Sequence, residues 1–440
     1  MARRPEVEDR RQVVGLAFFI SADKVAQLEK LREQLLQWLR THSLPLWEIH
    51  GVDRSLGGYF ESLAFNPERQ AFEPHGEMRR GRVVARQIFV FQTGRALGWE
   101  CSSPDPVMHG CDYLFSHMRR EDGLFHTALD ARTRAPRGAF SLYESAFYLF
   151  ALATVYRSSG QYPVYETASR FLELLRAGWG RLNGGFDESR PVSLPLQSNP
   201  HMHLLEAALA WIDATEQMPG RQATWVSLAE EIVALALSRF MDSRGTLREF
   251  FDESWAPMPD DSGRIVEPGH QFEWAWLLLQ WAASRHAGSS QRQACRQAAT
   301  RLVDTAERFG VDPHRGVAFN ELWDDMTPKD ASAKLWPQTE RVRAWCAVLH
   351  GCTTREEGDR ASRSLIEAVL GLQRYLDIEP KGLWHETLLG NGAFTREPTK
   401  ASSFYHIVGA IQTFDRCMAC FDVGTANTSR FSVADGSPSA

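Results

Sequence analysis

Three histidines at predicted helix starts could carry proton-transfer chemistry. They occur in Met202-His203-Leu204-Leu205-Glu206, in Pro268-Gly269-His270-Gln271-Phe272-Glu273-Trp274 and in Phe404-Tyr405-His406. The ordinary pKa of imidazole lies near neutrality, so a histidine can accept a proton from one atom and donate it to another at pH 7. Glu206 and Glu273 each follow a histidine by three residues, which places each pair on one helix face. We expect Glu273 to hold His270 in one tautomer and to raise its basicity.

The remaining helix starts supply groups that could bind a polar substrate. Arg86, Tyr143, Trp336 and Glu340 all lie in the first turns of predicted helices. A guanidinium can hold a carbonyl or ring oxygen and stabilise an enediolate. Tryptophan offers a flat face for a sugar ring. With the histidines, these groups suit proton transfer on a neutral polyol.

A metal site and a set of purely structural histidines are the competing interpretations. Three histidines and their glutamates could bind a divalent cation, but the order His-x-x-Glu reverses the Glu-x-x-His motif of di-iron bundles. A single His-x-x-Glu is more often a buried histidine satisfied by its neighbour. Chance core histidines would not be expected at the same point of three related helices, so we predict catalysis without a metal or another cofactor.

A short phrase, in which glycine precedes alternating apolar and polar residues, recurs through the chain. Its copies begin at Gly57, Gly123, Gly184, Gly245, Gly316 and Gly382. A spacing of roughly 60–70 residues is typical of an internal repeat, and each copy predicts a short strand opened by a turn. Two helical patterns lie in each repeat, which predicts helices over 22–40, 81–99, 104–119, 141–156, 165–179, 201–214, 223–240, 270–285, 291–308, 336–350, 362–375 and 404–421.

One helix of each pair is apolar nearly all round and its partner carries a charged stripe, as expected for an inner and an outer layer. We therefore predict an all-α chain folded as an (α/α)6 barrel, or toroid, of about twelve helices with short β-hairpins at one end. An open solenoid is the alternative, but six repeats favour closure because a ring needs no capping repeat. The predicted catalytic domain covers 14–422, and 423–440 form a tail predicted to be disordered.

Composition excludes several classes of function. A net charge of −6 on 440 residues argues against partners such as nucleic acid or an anionic membrane. The apolar stretch 13–20 is too short to span a bilayer, and the Arg-rich start indicates a frayed terminus and not a signal peptide. Seven scattered cysteines do not form a disulfide framework and indicate a cytoplasmic location. We expect a monomer or homodimer with a small-molecule sugar substrate.

Several phrases together resemble the N-acylglucosamine 2-epimerase superfamily, which includes cellobiose 2-epimerase, mannose isomerase and sulfoquinovose isomerase. They are Pro45-Leu46-Trp47, Gly57-Gly58-Tyr59-Phe60, Ala85-Arg86-Gln87, Met202-His203-x-x-Glu206-Ala207, Pro268-Gly269-His270-x-x-Glu273-Trp274, Lys334-Leu335-Trp336-Pro337-Gln338-Thr339-Glu340 and Tyr405-His406. They extend from about residue 40 to residue 420 in the order that the family has.

The resemblance implies an (α/α)6 barrel and reversible chemistry at C1 and C2 of an aldose, through ring opening and a cis-enediol. It implies that Arg86 holds the substrate, that His270 and His406 are the acid/base pair, and that His203 is a third catalytic histidine. Tyr143 matches a substrate-contacting tyrosine of the isomerase branch.

The family divides into 2-epimerases, which return the proton to C2, and isomerases, which deliver it to C1. The second helix start, Leu142-Tyr143-Glu144, lacks a histidine, and the fifth has one tryptophan where epimerases of larger sugars often carry two. Both features favour a monosaccharide isomerase of the mannose–fructose kind, with a 2-epimerase as the alternative. Arg79, Arg80 and Arg82 leave open a substrate with a sulfonate or phosphate.

Two functions from other classes remain open. An inverting glycoside hydrolase could use the same barrel with two of Glu144, Glu273 and Glu340 as its carboxylates, although the histidines would then be idle. A non-catalytic interaction protein would keep the cavity without turnover.

Overall fold

The structure is a computed structural model that describes residues 19–102 and 104–428, with side chains as far as Phe421. The predicted frayed terminus, residues 14–18 of the predicted domain, Ser103 and the part of the predicted tail over 429–440 lie outside the described residues. The described part of the last helix extends to Thr428.

The helices alternate along the chain with short strands. The helices are α1 Ala22–Trp38, α2 Leu44–His50, α3 Gly81–Ala96, α4 Pro106–Tyr113, α5 Leu142–Ser159, α6 Tyr162–Trp179, α7 Ser198–Ala214, α8 Ala223–Leu235, α9 Pro268–Ala283, α10 Ser289–Gly310, α11 Leu335–His350, α12 Arg355–Leu376 and α13 Ala401–Thr428. Turns of π-helix over Leu39–Ser43, Leu114–Met118 and Ala236–Phe240 extend α1, α4 and α8. All the predicted helices are present, and α2 is an additional short one.

The strands are two to five residues long. They are β1 Ser62–Asn66, β2 Ala71–His75, β3 Met78–Arg80, β4 Ala128–Asp130, β5 Pro136–Arg137, β6 Leu196–Gln197, β7 Phe250–Phe251, β8 Ile265–Val266, β9 Val311–Asp312, β10 Val317–Ala318, β11 Glu321–Trp323, β12 Pro328–Asp330, β13 Ala333–Lys334, β14 Thr387–Leu388 and β15 Thr399–Lys400. They pair antiparallel in the orders β15-β1-β2, β3-β4-β5, β6-β7, β12-β11-β8, β10-β9 and β13-β14.

Six helices form a closed inner ring. Each of α3, α5, α7, α9, α11 and α13 packs on the next, and α13 packs on α3, so the ring closes and the open solenoid is excluded. The inner helices are buried nearly all round, as Trp274, Ala275 and Leu277 of α9 show. The outer helices α1, α4, α6, α8, α10 and α12 pack on them. The predicted (α/α)6 barrel is therefore confirmed. Over the residues described, no helix has the length and hydropathy needed to span a membrane.

The six phrase glycines all make the turn that the sequence predicts. Gly57, Gly123, Gly184, Gly245, Gly316 and Gly382 have φ between +69° and +99°, where a residue with a Cβ would be strained. Gly57 follows the short helix α2, and each of the other five lies just after an outer helix. The chain before and after it pairs in most repeats, as Met241 does with Leu247 and β9 does with β10.

The residue four places after each glycine ties the inner helices to one another. These residues are Glu61, Thr127, Glu188, Glu249, Asn320 and Glu386. The backbone carbonyls of Thr127, Glu249, Glu386 and Glu61 accept the first amide of α3, α7, α11 and α13, respectively, at 2.9–3.1 Å. This recurring bond satisfies a donor that a helix leaves free at its start. It also places the starts of these four inner helices in a common register, so their first turns meet at one end of the barrel.

Candidate active site

A cavity of about 330 Å³ opens at the end of the barrel where the inner helices begin. Its lining is Arg86, Tyr143, Asn199, His203, Glu267, His270, Glu273, Lys334, Trp336, Glu386, Thr387, Lys400, Ser402, Ser403 and His406. Seven of the nine predicted site residues are among them. Glu206 and Glu340 lie buried beneath the histidines, behind the cavity wall. A wider depression of about 900 Å³ on the outside of the barrel, near Phe140 and Trp179, contains none of the predicted residues.

The interior is built of layers that follow from the common helix register. The sixth residues of the inner helices are Arg86, Phe147, His203, Glu273, Glu340 and His406. The ninth residues, one turn deeper, are Phe89, Phe150, Glu206, Trp276, Arg343 and Gly409. His270 is the third residue of α9 and lies one turn nearer the opening. The expectation that all three histidines occupy the same point is therefore wrong for His270, whose layer position is taken by Glu273.

Each of the three histidines donates one hydrogen bond from Nδ1–H to a buried glutamate. The Nδ1 atom lies 3.1 Å from Glu206 in His203, 2.8 Å from Glu249 in His270 and 2.8 Å from Glu340 in His406. A carboxylate on Nδ1 fixes the Nδ1–H tautomer and leaves Nε2 for the substrate.

The predicted partnership between Glu273 and His270 is wrong. Glu273 lies in the layer of the sixth residues, one turn deeper than His270, and its Oε1 is 3.8 Å from His203 Nδ1 on the neighbouring helix. His270 stands in the first turn of α9, and helix side chains lean toward the N-terminus. Its ring therefore reaches the preceding loop, where Glu249 and Glu267 lie 2.8 and 3.6 Å from Nδ1.

The histidines are held in different protonation states. Burial lowers the pKa of His203 to about 4 and also lowers the pKa of His406. Burial acts in the same direction on His270, but the charges of Glu249 and Glu267 outweigh it and raise its pKa to about 10. At pH 7, His203 and His406 are neutral bases and His270 is an imidazolium.

A buried arginine joins two of the pairs beneath the cavity. Arg343 donates to Glu340 and to Glu206, both at 3.0 Å, and its Cζ lies 3.4 Å from the centroid of the Trp276 ring. Tyr405 also donates to Glu206. These bonds outweigh burial and keep the pKa of both carboxyl groups low. The chain His203–Glu206–Arg343–Glu340–His406 is a fixed floor in which two carboxylates share one guanidinium and each accepts a histidine Nδ1–H.

Glu273 lies beside this floor, and among the described residues its carboxyl group forms no hydrogen bond to a charged side chain. Its Oε1 is buried without a hydrogen bond in the described structure. Burial, followed by the charges of Glu340 and Glu206, raises its pKa well above the ordinary value. Glu273 is therefore a neutral acid that faces the cavity and can donate a hydrogen bond to a substrate oxygen.

Arg86 presents a guanidinium to the cavity without a carboxylate partner among the described residues. It donates to the hydroxyl of Tyr143 at 2.8 Å and to the carbonyl of Ser402 at 3.1 Å. Its Cζ stacks over Phe147 and Tyr405 at 4.1 and 4.9 Å from the ring centroids. Its Nε is buried without a partner, so Arg86 is oriented but uncompensated, as a group that binds an oxyanion would be.

One aromatic side chain and two lysines complete the rim. Trp336 lies between the acid/base histidines, with ring centroids 4.9 Å from His270 and 6.1 Å from His406. Lys334 and Lys400 are exposed at the cavity mouth. Arg79, Arg80 and Arg82, the arginines considered for an anionic substituent, pair instead with Asp53, Glu61 and Glu144, outside the lining.

Three groups in the described part of the chain bring His and Glu ligand atoms within 4.8 Å of one another. They are His203, Glu206 and Glu273; Glu249, Glu267 and His270; and Glu273, Glu340 and His406. In each group the histidine nitrogen nearest the carboxylates is the hydrogen-bonded Nδ1. We interpret them as histidine–carboxylate pairs, and metal-free catalysis stays a prediction.

Sequence reasoning missed Arg343, Glu249 and Glu267. Arg343 is an arginine inside an otherwise buried helix, three residues after Glu340, and that spacing could have revealed the pair. Glu249 ends the fourth glycine phrase and Glu267 directly precedes α9. The first could be found by aligning the six repeats, but its contact with His270 depends on how the loop folds back.

Comparison with known proteins gives consistent results for family and fold. The family model described as N-acylglucosamine 2-epimerase matches residues 58–410. A mannose-6-phosphate isomerase from Rhizobium meliloti is 39% identical over 394 residues, which cover 88% of this chain and 97% of that protein. A D-mannose isomerase from Thermobifida fusca is 28% identical over 64% of this chain and 70% of its own length. The solved structure of cellobiose 2-epimerase from Spirochaeta thermophila superposes with a TM-score of 0.74 at 20% identity, over 89% of this chain and 97% of that one.

Proposed function

This chain belongs to the N-acylglucosamine 2-epimerase family, and from that premise we propose that it interconverts an aldose and a ketose of the mannose–fructose type through a cis-enediolate. That it is an enzyme of the sugar isomerase and epimerase class follows from the family and the relatives. The observation that carries the more specific proposal is the opposite protonation of the two acid/base histidines, one neutral and one cationic.

The neutral His406 is suited to remove the proton from C2. Its Nδ1–H donates to Glu340, so Nε2 can accept the proton and the resulting imidazolium is stabilised. The electron pair of the C2–H bond moves into the C1 carbonyl, and the charge that develops on the oxygen is held by Arg86. Returning the same proton to C1 gives the ketose, because one histidine reaches both carbons on one face of the planar enediolate.

The cationic His270 is suited to work at the oxygens. As the hemiacetal opens, it can donate a proton to the ring oxygen and recover one from the O1 hydroxyl. It can likewise assist the transfer of a proton from O2 to O1, which completes isomerisation. Neutral His203 and neutral Glu273 would hold sugar hydroxyls, and Trp336 would support one face of the sugar. Glu206 and Glu340 would act through the histidines they bind.

A 2-epimerase makes a different demand on the same site. Epimerisation in both directions requires two groups on opposite faces of C2 that exchange the roles of acid and base. His270, an imidazolium between two carboxylates, is seldom neutral at pH 7 and is therefore a poor base for C2, which favours the isomerase. The hydrolase alternative has less support, because Glu144 is paired with Arg82 and Glu340 with Arg343 and His406.

The test follows mannose in D2O by NMR, with mannose 6-phosphate in parallel because Lys334 and Lys400 line the mouth of the cavity. Fructose, or its 6-phosphate, should form first and carry deuterium at C1 in part. Early glucose with deuterium at C2, with the ketose absent or late, would refute the isomerase proposal. Loss of exchange at C2 in His406→Asn, with exchange retained in His270→Asn, would support the roles; the reverse pattern would exchange them.

Location and assembly are parts of the same proposal. Six cysteines have free thiols, namely Cys101, Cys111, Cys295, Cys346, Cys352 and Cys417, which supports the cytoplasmic location that the sequence predicts. A monomer or homodimer stays a prediction.

A further inference from the structure

The fourth repeat differs from the other five at the residue that directly precedes its inner helix. In the other repeats this residue is Arg80, Ser141, Gln197, Lys334 or Lys400, and in the fourth it is Glu267. Only the fourth repeat therefore has a carboxylate here. This carboxylate lies next to His270, which is the third residue of α9.

In other repeats this residue complements the glutamate four places after the phrase glycine. Arg80 lies 3.4 Å from Glu61, and the amide side chain of Gln197 donates to Glu188 at 3.0 Å. In the fourth repeat the corresponding residues are Glu267 and Glu249, so two carboxylates face each other. Their side chains are only 20% and 2% exposed. Two buried like charges require a cation between them.

His270 supplies that cation. Its Nδ1 lies 2.8 Å from Glu249 and 3.6 Å from Glu267. Glu249 is itself fixed, because it accepts the hydroxyl of Ser198 at 3.0 Å and the backbone amide of Glu267 at 3.4 Å.

The other charged groups facing this cluster do not replace His270 as its cation. They are Glu273 on α9 itself, Glu321 on β11 and Lys334 before α11. Neither glutamate can supply a positive charge, and Lys334 is exposed to solvent. Burial raises the pKa of Glu267 to about 7, and Glu249 is the nearer of the two carboxyl groups to Nδ1 of His270.

We propose that Glu249 is a positioning residue of the reaction and that Glu267 assists it, the two holding His270 as an imidazolium whose Nε2–H faces the substrate oxygens. The role in catalysis rests on the proposed function, but the charge state of His270 does not. In the first and third repeats the corresponding glutamate contacts the residue that precedes the inner helix. In the fourth repeat Glu249 also binds His270. It makes His270 a proton donor and leaves carbon chemistry to His406.

The decisive experiment titrates His270 directly. Protein with ¹⁵N-labelled histidine is followed by NMR between pH 6 and pH 9.5, with His270→Asn to assign the signal. His270 should stay protonated over most of this range, and Glu249→Gln should lower its titration midpoint by at least one pH unit. Glu188→Gln is the matched control, because Glu188 has the same place in the third repeat and also bonds the residue before the next inner helix, but among the described residues it makes no hydrogen bond to a histidine. That variant should leave His270 unchanged.

Two results would overturn the proposal: a midpoint below pH 8 in the unaltered protein, or the same midpoint in Glu249→Gln. If Glu249→Gln fails to fold, the unaltered protein and Glu267→Gln decide instead, and Glu267→Gln should shift the midpoint in the same direction by a smaller amount.

A kinetic readout separates positioning from a structural role. The alkaline limb of kcat/KM should move to lower pH in Glu249→Gln, with a loss of at least tenfold at pH 9 and a smaller loss at pH 6.5, and Glu249→Asp should restore part of it. A uniform loss at all pH values would assign Glu249 to structure alone. If the unaltered protein does not turn over mannose or its 6-phosphate, the proposed function fails while the NMR titration still decides the state of His270.

Discussion

Replacing Arg343 by methionine is the sharpest test of the buried floor. Arg343 bonds Glu206 and Glu340 at 3.0 Å, and the three side chains are 5%, 3% and 0% exposed. Removing one partner of such a pair leaves uncompensated buried charge and typically costs about 3–5 kcal/mol. Arg343 has two carboxylate partners, but we expect the loss of stability to be about that of one broken pair. Glu206 keeps its hydrogen bonds to Tyr405 and His203, and Glu340 keeps its bond to His406.

The expected change in melting temperature is small but measurable. An unfolding entropy of about 2.1 cal/mol/K per residue makes 1 kcal/mol equivalent to roughly 1 °C in a chain of 440 residues. Arg343→Met should therefore lower Tm by about 3–5 °C in thermal scans at one fixed rate. The matched control is Arg157→Met, which breaks the Arg157–Asp213 pair, whose side chains are both 54% exposed. It should cost at most about 1 kcal/mol.

The same variant should shift the pH dependence of activity. The charge of Arg343 contributes to the lowered pKa of His406, so removing it raises that pKa. His406 then becomes neutral only at higher pH, and the acid limb of kcat/KM moves upward. Adding Glu340→Gln to Arg343→Met should recover part of the lost stability, since it removes one stranded carboxylate. A Tm equal to that of the control, with an unmoved acid limb, would refute the compensated floor.

Three further predictions concern the cavity. Glu273→Gln should keep kcat within about tenfold of the unaltered protein, because Glu273 is already neutral. In the same steady-state assays, Glu340→Gln should lower kcat by about 10²-fold or more. Equal losses of kcat in the two variants would mean that Glu273 is ionised. Arg86→Lys should lower kcat by about 10²–10³-fold at unchanged Tm, since lysine keeps the charge but not the planar guanidinium group with its paired donors. Arg82→Lys is the control, because Arg82 lies outside the cavity lining. Similar kcat values for the two variants would show that Arg86 does not act on the substrate. Treatment with EDTA should leave turnover intact, and full loss restored by a divalent cation would establish a metal mechanism.

The sequence was most informative where a feature repeats. The six glycine phrases predict the repeat, and the contrast between apolar and striped helices predicts the two layers. Both predictions hold, because left-handed turns depend on glycine and burial depends on the local pattern of apolar residues. The positions of Arg86, His203 and His406 follow from the same register, six residues into each helix.

Partnerships across the barrel were less accessible to sequence. The spacing of three residues correctly paired His203 with Glu206 but wrongly paired His270 with Glu273. The two pairs have the same spacing along the chain. They differ because His270 lies in the first turn of its helix, so its side chain can turn back to the preceding loop. No local pattern indicates that Glu249, 21 residues before His270, is that partner.

The sequence by itself determined the barrel, the end at which the cavity opens and seven of the fifteen side chains that line it, because turns, helix periodicity and helix starts are local properties. Only the tertiary structure decided which histidine is charged. A pKa depends on burial and on charges brought from other helices and loops. Glu249 and Glu267 converge on His270, while Arg343 compensates the carboxylates beneath His203 and His406. The three histidines have the same side chain, and the packing of the closed ring gives them different chemistry.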